Sequence, residues 1–263
     1  MTGSDGDLDQ REIAHFDSLA EDWWAADGAF AALHRLTPPR IGYIHQQLRR
    51  LIPSRLADGP LPFAGLRIAD LGCGGGLLAE PLARLGAAVT AIDASSEAIA
   101  IGRDHARRSG LEIDFRCQTV ESLAAEQATL DDSKAGMDVV IASEVLEHVA
   151  DRNRFLAAMA GLGRRDPDLP SVAVMTTINR NPVSVVLAKY AAEYLFGLAP
   201  PGTHQASRFI RPSELRREAA AAGIILDDIS GIRPTVFGEF AIAGPPLINY
   251  AAAGLITPGR PPA

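Results

Sequence analysis

The chain has 263 residues, 47% of them hydrophobic, which is enough to bury a large core. Its formal charge of −7 argues against a nucleic-acid binder, which normally presents a basic surface. Cys73 and Cys117 are its two cysteines, too few for a disulfide framework and suited to a reducing compartment.

The start, Met1-Thr-Gly-Ser-Asp-Gly-Asp-Leu-Asp-Gln10, is acidic and polar and reads as disordered. It has neither an apolar signal core nor an arginine-rich transit pattern, so a cytoplasmic protein is expected. Residues 11–52 read as a helical segment interrupted near Pro38-Pro39, and 53–66 as a proline- and glycine-punctuated linker. The main domain is expected over 67–250. Ile68, Ala69 and Leu71 form its first strand, Leu77–Leu85 a helix, and Ala87–Ile92 the second strand. Ser95–Ser109 follows as a helix capped by Ser95 or Ser96, then Glu112–Arg116 as the third strand. Ala124–Gly136 reads as a charged loop, Met137–Ala142 as the fourth strand, Asp151–Leu162 as a helix and Val172–Thr177 as the fifth strand. Beyond an insertion at 179–211, Pro212–Ala222 is a helix stopped by Gly223. Ile224–Ile229 and Thr235–Ile242 complete seven strands, and 251–263 reads as a loose tail. Alternating strands and helices predict an α/β fold with a doubly wound, mainly parallel sheet.

Three groups of residues carry chemistry. In the first, Asp70-x-Gly72-x-Gly74-x-Gly76 turns the first strand into a helix, and Asp93 ends the second strand. Glycines let backbone pass close under a ligand, and an acid at the second strand's end accepts hydrogen bonds from a ribose diol. A nucleoside-containing cofactor fits that pair. A dinucleotide fingerprint, G-x-G-x-x-G, does not: counted from Gly72, its third glycine would be Leu77. Cys73 within the turn reads as a small space-filler.

The second group, Ser143-Glu-Val-Leu-Glu-His-Val149, follows the fourth strand and so faces the crevice beyond the strands' carboxyl ends. On a helical turn Glu144, Glu147 and His148 would share one face. Such a set either holds a divalent ion or offers His148 as a general base; a capped helix start is the plain alternative. The third group joins Trp23-Trp24, Gly28, Phe30, Leu33-His34-Arg35 and Arg40. It reads as an added segment packed on the domain, or as a lid from which Arg40 forks a cofactor carboxylate.

The glycine motif resembles the first motif of class I S-adenosylmethionine-dependent methyltransferases, which implies a Rossmann-like fold. By that resemblance the turn packs against the cofactor's methionine and ribose, Asp70 lies near its amine, and Asp93 binds the ribose hydroxyls. The wider set is narrower in meaning. Phe16, Trp23-Trp24, His34-Arg35, Pro38, Arg40, Glu144-Val-Leu-Glu-His-Val149, Thr177-Ile-Asn-Arg180, Pro201-Gly-Thr-His204, Phe209-Ile-Arg-Pro212 and Asn249-Tyr250 resemble the ubiquinone-biosynthesis O-methyltransferase family. The chain departs from its pattern where Arg164–Pro170 replaces a Pro-Gly-Gly turn, Thr37 stands for an Asn, a Tyr is missing from Gly231–Pro234, and the loops at Pro53–Gly65 and Ala124–Gly136 are longer.

The resemblance implies an enzyme that methylates phenolic hydroxyls of polyprenylated catechols. Arg40, Gly72, Asp93 and Ser143 would bind S-adenosylmethionine, and His148 and Glu147 would be catalytic. The eukaryotic branch's divalent ion, Mg²⁺ or another, maps onto Glu144, Glu147 and His148. Other proteins of ubiquinone biosynthesis are candidate partners; nucleic acid is not. A class I methyltransferase for another small molecule, a nicotinamide-dependent dehydrogenase and a non-enzymatic lipid-surface protein are the alternatives. The implied substrate carries a bilayer-resident tail, so peripheral contact with an anionic membrane, on its inner face, is expected. Pro182–Pro200, flanked by Arg180, Arg208, Arg211, Arg216 and Arg217 and too short to span a bilayer, reads either as that contact or as a helix buried against the domain.

Overall fold

The computed structural model describes residues 23–25, 27–28, 30–131, 135–166, 168–181, 208–235 and 239–257. The expectations for 1–10, for Phe16, for Pro182–Pro200 and for Pro201–His204 lie outside these.

Helix α1 (Ala31–Leu51) precedes an alternating series. The series runs β1 (Arg67–Leu71), α2 (Ala79–Arg84), β2 (Ala88–Asp93), α3 (Ser96–Arg108), β3 (Asp114–Cys117) and α4 (Val120–Ala128). It continues with β4 (Val139–Ser143), α5 (Arg152–Gly161), β5 (Ser171–Ile178), α6 (Pro212–Ala221), β6 (Ile224–Pro234), β7 (Phe240–Ile242) and β8 (Asn249–Ile256). The sheet order is β3-β2-β1-β4-β5-β8-β6-β7. The first five strands are parallel, and β8 runs antiparallel between β5 and β6.

The inner parallel strands β1, β4 and β5 are buried along almost their whole length, so helices must cover both faces. On one face Ala69, Leu71, Val140, Ala142 and Met175 pack with Leu123, Phe155, Met159 and Leu215 of α4, α5 and α6. On the other, Ile68, Val89, Ala91, Ile141 and Val174 pack with Tyr43, Ile44 and Leu48 of α1, Leu82 of α2 and Ile99 of α3. Helix ends carry local signals: Ser95, Thr119 and Asp151 each accept a backbone N–H three residues on. Gly223, at φ 88°, ends α6.

Several expectations need correction. Helix α1 runs through Pro38 and Pro39 without a break. Its buried face, Leu36, Arg40, Tyr43, Ile44 and Leu48, fixes it to the sheet, and packing there outweighs the two missing N–H donors. Its inner face, with Tyr43, Ile44 and Leu48, belongs to the core. The expected loop at Ala124–Gly136 begins inside α4, which Thr119 caps and Leu123 anchors in the core.

The sheet has eight strands, not seven, and 251–256 is not a loose tail. Ala251, Ala252 and Ala253 are fully buried in β8. Ala252 faces one core cluster and Ala251 and Ala253 the other, so the strand is covered on both faces. A Cβ at Gly254 would stand 1.9 Å from the Ile225 carbonyl oxygen.

Candidate active site

The carboxyl ends of the parallel strands lie together, with Leu71 beside Ile92 and Ser143 beside Thr176. The glycine turn springs from this edge. Gly72 and Gly74 have φ of 67° and 51°, a region that side-chain-bearing residues avoid. A Cβ at Gly72 would meet Val145 Cγ2 at 2.4 Å, and one at Gly74 would meet Trp23 Cη2 at 2.3 Å. The turn therefore touches both the segment after β4 and the tandem tryptophans. Gly76 leads into α2, its carbonyl accepting from Glu80 N at 3.0 Å. The Cys73 thiol is buried and its pKa raised well above the ordinary value by that burial, which fits a space-filler.

Asp93 holds this turn in place. Its Oδ2 accepts the Gly74 N–H at 2.8 Å, and its Oδ1 accepts the Ser95 N–H at 2.9 Å. Asp70 is 2% exposed, and its Oδ2 is buried with no hydrogen-bond partner among the described residues. Burial, then the charge of Asp93, pushes its carboxyl up to about 7, with Arg40 opposing. A buried carboxyl oxygen so placed calls for a hydrogen-bond donor, and a cationic donor favours its ionised form.

Arg40 is 5% exposed and donates through Nη2 to Glu144 Oε1 at 2.9 Å, while its Nε is buried without a partner among the described residues. Glu144 Oε1 also accepts from Thr176 Oγ1 at 2.9 Å. With its one hydroxyl proton so used, Thr176 must accept from Ser143 Oγ, 2.9 Å away. Glu147 is buried, and its Oε2 accepts from Thr177 Oγ1 at 2.8 Å. Burial, then Glu144, pushes its carboxyl up to about 7; His148 opposes. Burial, then Glu147, also raises the Tyr250 phenol, which donates to the Ile210 carbonyl at 3.1 Å.

The expected metal set does not assemble. Glu144 has φ 56°, in the left-handed region, and that breaks the helical phase on which the shared face of Glu144, Glu147 and His148 depended. Glu144 points to Arg40 and Thr176, and Glu147 to Thr177. Among the described residues no three His, Cys, Asp or Glu side chains stand as a metal would need.

Trp23 lies over Gly74 and Gly75 and stacks on Phe30, ring centroids 3.9 Å apart. Trp24 Nε1 donates to the Gly75 carbonyl at 3.2 Å. Both tryptophans thus border the cradle. The spacing of motifs did not single out Thr176, Glu80, His105 or Gln118, whose Nε2 is buried without a partner among the described residues. Only the register of β5 against β4 would have pointed to Thr176.

A strand, glycine turn, helix, strand and acid, with an orphaned carboxyl oxygen beside the turn, suit the ammonium group and ribose of S-adenosylmethionine. The family model described as a methyltransferase domain matches residues 69–166. Among solved structures, magnesium protoporphyrin IX methyltransferase from Synechocystis PCC 6803, with bound SAH, has a TM-score of 0.58 at 22% identity, covering 94% of this chain and 99% of that one. A methyltransferase from Thermotoga maritima has a TM-score of 0.56 at 14% identity, covering 92% and 98%. Fold and site define a class I S-adenosylmethionine-dependent methyltransferase.

The curated relatives narrow this. A ubiquinone biosynthesis O-methyltransferase of Methylocella silvestris is 44% identical over 94% of each chain. One of Caulobacter sp. is 42% identical over 91% of this chain and 87% of its own. The chain belongs to the ubiquinone biosynthesis O-methyltransferase family.

Proposed function

We propose that the chain methylates phenolic hydroxyls of polyprenylated catechol intermediates in ubiquinone biosynthesis. For the cofactor, the observation that carries the reading is the buried, unpartnered Oδ2 of Asp70 beside the glycine turn. For the substrate class, it is the near-full-length likeness to the named relatives. Bound S-adenosylmethionine supplies a methyl group activated on a sulfonium sulfur.

The chain's own residues do the rest. Asp70 receives the cofactor's ammonium group, and Arg40, oriented by Glu144, faces its carboxylate. Asp93 holds Gly74 in place and keeps carboxylate lone pairs for the ribose hydroxyls; Ser143 is held at the rim by Thr176. An in-line displacement needs the acceptor oxygen aligned and deprotonated, and a phenol's ordinary pKa is about 10. His148 takes the phenolic proton, with the buried Glu147 beside it in sequence countering the imidazolium charge that results. An ion at Glu144, Glu147 and His148 would need Glu144 released from Arg40 and Thr176, so no step is assigned to one here. Peripheral contact with an anionic membrane belongs to the same reading, since the tail of the substrate lies in a bilayer. No described helix is long and apolar enough to cross one.

The test is incubation with S-adenosylmethionine carrying a labelled methyl group and a short-chain prenyl catechol. Label on the ring oxygen is expected; its absence overturns the reading.

A further inference from the structure

The tandem tryptophans are fixed to the glycine turn by contacts that methyl transfer itself does not use. The Trp24 indole lies flat on the His105 imidazole, with centroids 3.5 Å apart and planes at 4°. His105 Nδ1 stands 2.6 Å from Glu80 Oε1, and since a carboxylate only accepts, Nδ1 carries the proton. Glu80 is 2% exposed, and its other oxygen has Arg84 at 3.5 Å. A second histidine, His34, sits edge-on to Trp24 and donates through Nε2 to the Trp23 carbonyl at 2.8 Å.

These contacts form a chain of cause. Glu80 on α2 and His105 on α3 belong to helices packed on the sheet, so they present a fixed surface. An imidazole bonded at one nitrogen to a buried acid cannot turn freely about its last torsion, so its plane is set. Stacking then sets the plane of Trp24, and the bond from Trp24 Nε1 to the Gly75 carbonyl sets its position along the turn. Trp23, the preceding residue, is thereby held with its ring against Gly74 and Gly75. Its own Nε1 is buried without an acceptor among the described residues, so the roof of the cradle carries a donor that a bound ligand would satisfy.

We infer that Glu80 and His105 are positioning residues for cofactor binding: they set the plane of Trp24 and so hold Trp23 as the roof of the glycine turn. The inference deepens the methyltransferase reading and rests on it. Loss of the imidazole plane leaves the roof in place for only part of the time, and apparent affinity falls in proportion.

The test uses the full chain with S-adenosylhomocysteine as the calorimetric ligand. His105→Gln keeps an amide donor for buried Glu80 but removes the stacking ring. Affinity should fall by about threefold to tenfold, the range a lost aromatic stack implies. The KM for S-adenosylmethionine should rise likewise, with kcat and the KM for the phenolic acceptor unchanged. The chain's intrinsic indole emission comes from Trp23 and Trp24 alone, and should shift to the red as both rings gain water. Trp24→Phe keeps a stacking ring but loses the bond to Gly75, and should also weaken binding; it decides by the same criterion if His105→Gln does not fold. A His105→Gln protein that melts like wild type and binds S-adenosylhomocysteine equally well overturns the inference, leaving the cofactor reading intact. Failure of the wild-type chain to bind S-adenosylhomocysteine overturns the cofactor reading itself.

Discussion

Asp93 Oδ2 accepts the backbone N–H of Gly74 at 2.8 Å, so the acid that ends β2 pins the turn that follows β1. One side chain thus shapes the cradle and also lines it. Asp93→Ala should weaken S-adenosylmethionine binding by about 1.5–3 kcal/mol, the range for charge-assisted hydrogen bonds. Unchanged calorimetric affinity in a folded variant would contradict the assignment. Gly74→Val should be more damaging, because the new side chain meets the Trp23 ring in a backbone conformation that β-branched residues avoid.

Stability should depend on pH through Glu147. Its folded carboxyl is pushed up to about 7 by burial, while an unfolded Glu ionises at about 4.3. Between those values the folded chain holds a proton that the unfolded chain has lost, so stability falls as pH rises through the window. Asp70, raised to about 7 by burial, adds to the same slope. Melting temperature measured across this range should drop toward neutrality, and less so in Glu147→Gln. A slope that Glu147→Gln leaves unchanged contradicts the assigned environment.

His148→Ala and Glu147→Ala should lower turnover far more than cofactor affinity, by about 10²–10⁴-fold where a proton acceptor is lost. Parallel assays in chelator separate the two roles open to His148. Activity retained in chelator assigns it to proton transfer. Activity lost, and restored by Mg²⁺ or Zn²⁺, assigns it as a ligand and requires the Arg40–Glu144 pair to open. Near-wild-type turnover in both variants sinks both roles.

Much of this site was legible because its signals are local. Asp70, Gly72 and Asp93 follow from the order strand, turn, helix, strand, acid, which the fold reproduces. The cap at Ser95 and the stop at Gly223 are equally local. What failed depended on distant contacts. Ala251–Gly254 lacks the β-branched residues that mark strands, yet it pairs with both β5 and β6, contacts that no local residue pattern announces. Pro38 and Pro39 signal a break that burial of Leu36, Tyr43 and Ile44 overrides. The shared face of Glu144, Glu147 and His148 assumed a helix, and the left-handed backbone of Glu144 is invisible in residue spacing.

Membrane contact should follow from the substrate's tail. Of the arginines expected at the surface, Arg180 is paired with Glu214, while Arg216 and Arg217 are exposed on α6. The protein should co-sediment with vesicles containing anionic lipid, and less so in high salt. Substituting Leu187 and Leu195 with Glu should abolish this while leaving cofactor affinity unchanged. An intact protein that ignores anionic vesicles contradicts the expectation.

Methyl transfer to a catechol that bears a prenyl tail can be measured outright. The most direct measurement compares kcat/KM for a short-chain prenyl catechol with that for the same catechol lacking the tail, with the methylated oxygen located by mass spectrometry. O-methylation of both is expected, with a clear preference for the prenylated ring. Equal rates would contradict the substrate class, and S-adenosylhomocysteine binding without transfer to either compound would contradict the proposed activity.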